Sequence, residues 1–154
     1  MTEDVGQDCH LFRQHVRRFS MVFTAGTNNI LGRGGINLPQ YNAMSLLMTQ
    51  GGMKMGDLAK QLGVTVGAAT NLADKLVECG TVSRTRDVRD RRVVRLALTA
   101  KGRRQVEEID GTFVSFCTGV MGQIDDDTRR QFLATFGHVL DVMQKAVETS
   151  QQGQ

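Results

Sequence analysis

The sequence predicts a mainly α-helical chain with one small β-wing. Three observations predict it. Both ends of the chain carry apolar residues at steps of three and four, the period of a helix packed on one face. The centre holds two short amphipathic segments joined by a glycine turn. Beyond them lies one pair of alternating, period-two stretches loaded with arginine. The single proline and the absence of tryptophan suit helices better than a turn-rich β-sandwich. A length of 154 residues sets one domain over 1–154 as the expectation.

Phe12, Val16, Phe19 and Phe23 open the chain at spacings of four, three and four, with Gly26 and Ile30 continuing the beat, so a helix is expected over about 8–34. "GRGGIN" (32–37) breaks it. Asn37 can cap the next helix, which tolerates Pro39 in its first turn and turns Met44, Leu47 and Met48 inward. "TQGG" (49–52) stops that helix, and "MGDLAKQL" (55–62) forms a short one with Leu58, Ala59 and Leu62 on its apolar side. After Gly63, Thr65 is a good cap for "TVGAATNLADKLVECG" (65–80). Ala69, Leu72, Leu76 and Val77 are its expected buried face and Gly80 its stop. Helix, tight turn, helix is the helix-turn-helix arrangement.

"VSRTR" (82–86) and "VVRLALT" (93–99) then read as a two-stranded antiparallel ribbon with "DVRDRR" at its tip. Thr99 can cap a long helix carrying Val106, Ile109, Phe113, Phe116 and Val120. "DDDT" (125–128) places carboxylates where a helix N-terminus favours them, ahead of Phe132, Phe136, Val139, Leu140, Met143 and Val147. The core is thus expected over about 36–99, between helical stripes at about 8–34 and 100–148. A lone protomer would leave those stripes wet, so a homodimer that buries them by a symmetric interface is expected.

Charge narrows the function. Residues 82–104 hold nine Lys/Arg against two Asp, a net +7 in a chain whose total is +3, which leaves −4 elsewhere. One strongly basic element on a mildly acidic body implies a polyanionic partner for that element. Double-stranded DNA fits, with a helix in the major groove and the ribbon's arginines in the minor groove. Asp87 and Asp90 lessen self-repulsion among the arginines and can brace a guanidinium by a forked pair. On the second helix of the pair, Thr65, Thr70 and Asn71 offer hydrogen bonds to base edges. Gly67 and Ala68 permit close approach to DNA, or else pack on the preceding helix.

An enzyme is not expected, since no nucleophile–base set, paired-carboxylate cleft or phosphate loop is visible, and no cofactor is implied. Cys9, Cys79 and Cys117 form no C-x-x-C, and Cys9, His10 and His15 do not share a helical face, so no metal site is expected. Cys79 and Cys117 read as small packing residues. With a polar N-terminus and no membrane-spanning run, the cytoplasm is the expected setting.

The run "LAKQLGVTVGAATNLADKLVECGTVSRTRDVRDRRVVRLALTAKG" resembles the winged helix-turn-helix core of the MarR family of bacterial transcription regulators. The resemblance spans roughly residues 36–104, and its most telling piece is Asp90–Arg91–Arg92 leading into "VVRLALT". It implies a winged helix-turn-helix core flanked by N- and C-terminal dimerisation helices. It implies that Arg92 enters the minor groove with Asp90 orienting it, and that Arg84, Arg86, Arg89 and Arg91 meet phosphates or the groove wall. The function implied is a dimeric repressor on a pseudo-palindromic operator, released by a small effector bound where dimerisation helices meet the winged core. Phe19, Met44, Met48 and Phe113 are candidate lining for an aromatic or phenolic effector, with plain core packing as the alternative. Cys9 on the first helix, beside His10, gives a redox-sensing alternative. A winged-helix module that binds protein instead of DNA is the other.

Overall fold

The computed structural model describes residues 2–86 and 93–152. In order they form α1 (Thr2–Arg33), α2 (Leu38–Gln50), β1 (Met53–Lys54), α3 (Met55–Leu62), α4 (Val66–Glu78), β2 (Val82–Arg86), β3 (Val94–Leu98), α5 (Ala100–Met121) and α6 (Asp126–Gln152). The chain divides into two compact units, Met1–Thr112 and Phe113–Gln154, with the division inside α5.

In the first unit, local chemistry sets the helix ends. Asn37 Oδ1 accepts from the Gln40 amide at 3.0 Å while Gln40 Oε1 accepts from the Asn37 amide at 2.9 Å, a reciprocal cap on α2. Helix α4 closes through Gly80 at φ +70°. The Gly80 amide donates to Val77 O at 2.9 Å and the Thr81 amide to Leu76 O at 3.0 Å, the paired bonds of a glycine-terminated helix. Thr99 Oγ1 accepts from the Gly102 amide at 3.1 Å, capping α5, and donates to Gly80 O at 2.8 Å, tying that cap to the end of α4.

The sheet has three antiparallel strands in the order β1-β3-β2, one more than the ribbon expected from sequence. Met53 pairs with Leu96 and Lys54 with Arg95; two residues are too few to display a period, which is why β1 was illegible. The core of this unit gathers Ala43, Met44 and Leu47 from α2, Leu58 from α3, Ala73 and Leu76 from α4, Val82, Leu96 and Leu98 from the sheet, and Val106 from α5. Ala69, Ala73 and Leu76 give α4 its buried face, while Val77 is exposed, a correction to the inward position expected of it. Steps of four and three from Ala69 select Ala73 and Leu76, and Val77 falls one position round the helix.

In the second unit, Asp125 caps α6, accepting from the Thr128 amide at 2.9 Å. That hydrogen bond holds its carboxyl below the ordinary carboxylate range. Arg130 and Asp127 pair one turn apart at 2.7 Å. Phe132 and Phe136 stack at 5.4 Å, and with Leu140, Met143 and Val147 they leave an exposed apolar stripe. Phe116 and Val120 of α5 are exposed likewise. In the first unit, Phe12, Val16, Phe19 and Phe23 form a comparable exposed stripe along α1.

Gly102 is where α5 meets the root of the sheet. A Cβ there would overlap the Thr81 carbonyl and lie 3.2 Å from Leu98 Cδ2, so backbone rather than a pliant side chain would have to move. Gly102→Ala is expected to destabilise the first unit by about 2–3 kcal/mol, read as a lower urea midpoint with unchanged slope.

Candidate nucleic-acid interface

Helix α4 presents two chemically distinct faces. Ala69 and Ala73 pack inward, while Thr65, Val66, Gly67, Ala68 and Asn71 are exposed. A Cβ added at Gly67 would meet nothing closer than Thr65 Oγ1 at 4.0 Å. Gly67 and Ala68 therefore do not pack on the preceding helix. They leave an open, low-relief surface on the first turns of α4. Thr65 Oγ1 accepts from the Ala68 amide at 3.2 Å and so holds the helix start. Thr70 is half-buried and donates its hydroxyl to Val66 O at 2.8 Å, which leaves its oxygen able to accept. Asn71 keeps an exposed amide with both donor and acceptor atoms.

Three residues separate the end of α4 from the start of the ribbon. Strand alternation places Arg84 on the same face as buried Val82, opposite Leu96 in register, rather than on the outer face. Its guanidinium Nη2 lies 2.8 Å from Asp74 Oδ1 on α4. Arg86 ends β2 exposed, and exposed Arg95 stands opposite Thr85. Asp87, Arg89, Asp90, Arg91 and Arg92 lie outside the described residues.

A cavity of about 470 Å³ sits in the first unit between the end of α1 and the first three turns of α5. Ile30, Arg33, Gly34, Lys101, Arg104, Gln105, Glu108, Ile109 and Thr112 line it. Gln105 Nε2 donates to Gly34 O at 2.6 Å, and its Oε1 is buried without a hydrogen-bond partner among the described residues. Lys101 Nζ donates to Cys79 O at 2.8 Å, placing a cation on the C-terminal carbonyls of α4. None of the four expected lining residues faces this cavity. Phe19 is exposed and stacks on Phe23 at 5.4 Å, Met44 is fully buried in the core, Met48 is half-buried against it, and Phe113 belongs to the second unit. The apolar character that suggested a ligand surface marks core in Met44 and Met48, whereas the cavity mixes the apolar Ile30 and Ile109 with four charged side chains, Arg33, Lys101, Arg104 and Glu108.

Cys9 is exposed on α1. Cys79 and Cys117 are exposed too, a correction to the packing role expected of them. Among the described residues no group of three His, Cys, Asp or Glu is arranged to hold a metal, and no helix is long and apolar enough to cross a membrane. Asp74, Lys101 and Gln105 were missed from sequence. Each acts through a partner distant in the chain, and no local spacing announces it.

A two-helix unit whose second helix has an open outer face, followed by a basic β2–β3 hairpin that β1 completes to a three-stranded sheet, defines a winged helix-turn-helix protein. Residues 36–94 match the model described as "MarR family". The chain is 29% identical over 94 residues to YsmB of Bacillus subtilis, an uncharacterized HTH-type transcriptional regulator, covering 61% of this chain and 64% of that one. It is 32% identical over 75 residues to the HTH-type transcriptional repressor MdtR of the same organism, covering 49% and 48%. The matched stretch thus spans between about half and two-thirds of these relatives. A MarR family protein from Bacillus stearothermophilus superposes with a TM-score of 0.83 at 23% identity, covering 90% of this chain and 97% of that one. A mutant E. coli MarR complexed with operator DNA superposes at 0.73 and 20% identity, covering 88% and 95%.

Tyr41, the chain's one tyrosine, donates its hydroxyl to Asp110 Oδ1 at 2.5 Å and so joins α2 to α5. Burial first, and the Asp110 carboxylate second, push its pKa up to about 12 from 10.0. A phenol raised in the folded state contributes stability in full below pH 10 and loses it as pH rises through about 12. Phenolate absorbance of the native protein should therefore titrate near 12, and in Asp110→Asn it should move back toward 10.

Proposed function

We propose that this chain is a transcription regulator that binds double-stranded DNA as a homodimer and acts as a cytoplasmic repressor. The observation that carries the reading is the open face of α4, with Thr65, Gly67, Ala68, Thr70 and Asn71, standing beside a ribbon that concentrates the chain's positive charge. Small residues let the helix approach base edges, and Asn71 can pair with adenine through both atoms of its amide. Arg86, together with Arg89, Arg91 and Arg92 of the tip, would engage phosphates and the minor groove, with Asp87 and Asp90 bracing them. The exposed stripes of α1 and α6 favour a second copy as their cover. Two helices and two wings related by a two-fold would read a pseudo-palindrome with half-sites about one helical turn apart.

Release of DNA by a small effector is part of the same proposal, and the charged cavity revises its chemistry. Arg33, Lys101 and Arg104 outnumber Glu108 there, and the unpaired Gln105 Oε1 asks for a donor, so an acidic molecule carrying a hydroxyl fits better than a purely apolar one. Lys101 touches both the cavity and the end of α4, which gives an occupant a direct route to that helix.

Selection of duplexes from random-sequence DNA, followed by titration against salt, tests the reading. With about eight phosphates neutralised per dimer the logarithmic salt slope should be about −7, a loss of roughly 10⁴ in affinity between about 50 and 200 mM. Arg92→Ala should weaken the selected duplex by about 1–3 kcal/mol while sedimentation still shows the wild-type assembly. Unchanged affinity at fixed salt would take the wing out of the mechanism.

A further inference from the structure

Asp74 is a misplaced charge for a DNA-binding surface. It lies three residues beyond Asn71 and four beyond Thr70, so it sits about one helical turn from the groups proposed to read bases. A carboxylate there repels phosphate. It is nonetheless paired with Arg84 at 2.8 Å, and Arg84 comes from the wing strand, not from α4. The side chains are 46% and 35% exposed, so the pair is well screened and adds little to stability as such. Its geometry is what matters. Glu78 ends α4 and Val82 begins β2, so the connection is short. Arg84 sits opposite Leu96 in β3, the strand that runs back from the tip. A planar guanidinium held by a carboxylate at that point restrains the slope of the hairpin against the axis of α4.

We propose that Asp74 is a positioning residue: through Arg84 it sets the angle between wing and recognition helix, so that both meet one duplex at once. The proposal rests on the DNA-binding reading above. It also reassigns Arg84, expected from sequence to meet phosphate, as an internal strut.

Charge alone and bracing predict opposite signs. If Asp74 is merely a repelling charge, Asp74→Asn tightens binding to every duplex. If it is a brace, Asp74→Asn weakens the duplex that needs wing and helix together, while leaving unrelated DNA bound as well as before or better. The test uses the full chain and two probes of equal length, a duplex selected by the wild-type protein and an unrelated mixed-sequence duplex, read by fluorescence anisotropy. The dissociation constant for the unrelated duplex divided by that for the selected one should fall about threefold per half-site, roughly tenfold for a dimer, with an unchanged salt slope. In an Arg84→Gln background, Asp74→Asn should change that ratio no further, because the two side chains act as one unit. If Asp74→Asn does not fold by circular dichroism, Arg84→Lys, which keeps the charge but not the planar fork, should lower the ratio in the same way. A ratio unchanged from wild type, or a second loss in the Arg84→Gln background, would overturn the brace while DNA binding stands. Failure of the wild-type protein to enrich any duplex would overturn the DNA reading, and the brace with it.

Discussion

One backbone junction organises the winged unit. At Gly80–Thr81 the end of α4, the root of β2, the end of β3 and the start of α5 meet within a few hydrogen bonds. The Thr81 amide closes α4 onto Leu76 O, and the Thr99 amide closes β3 onto Thr81 O at 3.0 Å. Thr99 Oγ1 reaches Gly80 O, and Lys101 Nζ reaches Cys79 O. Gly102 lets α5 pass against the Thr81 carbonyl where any side chain would collide. The hairpin therefore leaves α4 from a fixed root.

That root separates two tasks. Above it, charge is displayed on a ribbon that a core of this size cannot bury; below it, α5 carries the polar links Gln105–Gly34 and Tyr41–Asp110 back to the turn after α1 and to α2. Both links join elements far apart in sequence, and both lie in the same half of α5 as the cavity. A molecule that bound there would compete with, or complete, the hydrogen bonds that seat α5 on the winged unit. This is the physical content of the effector proposal: any coupling to DNA must come from differential affinity for two seatings of that helix.

Much of the architecture was legible because local rules decide it. The Asn37 and Thr65 caps, the Gly80 stop, both long strands and the bounds of α3 follow from residue type and period alone. What was illegible depends on partners. Strand β1 exists because Met53 finds Leu96, not because two residues prefer a strand. Arg84 looked like one more phosphate ligand until the face it shares with Val82 brought it to Asp74. Met44 and Met48 fit both candidate lining and plain core because flexible apolar side chains suit both roles, and only packing distinguishes them. The cavity's cations had been counted with the ribbon's charge, since Lys101 and Arg104 follow it closely in sequence.

The central claim is that one rigid unit delivers α4 and the ribbon to a single duplex. Hydroxyl-radical footprinting of a selected duplex measures this directly. The account predicts, in each half-site, protection on the strands flanking one major groove together with the adjoining minor groove, repeated about a two-fold axis. Protection confined to one groove, or lacking the two-fold repeat, would contradict it.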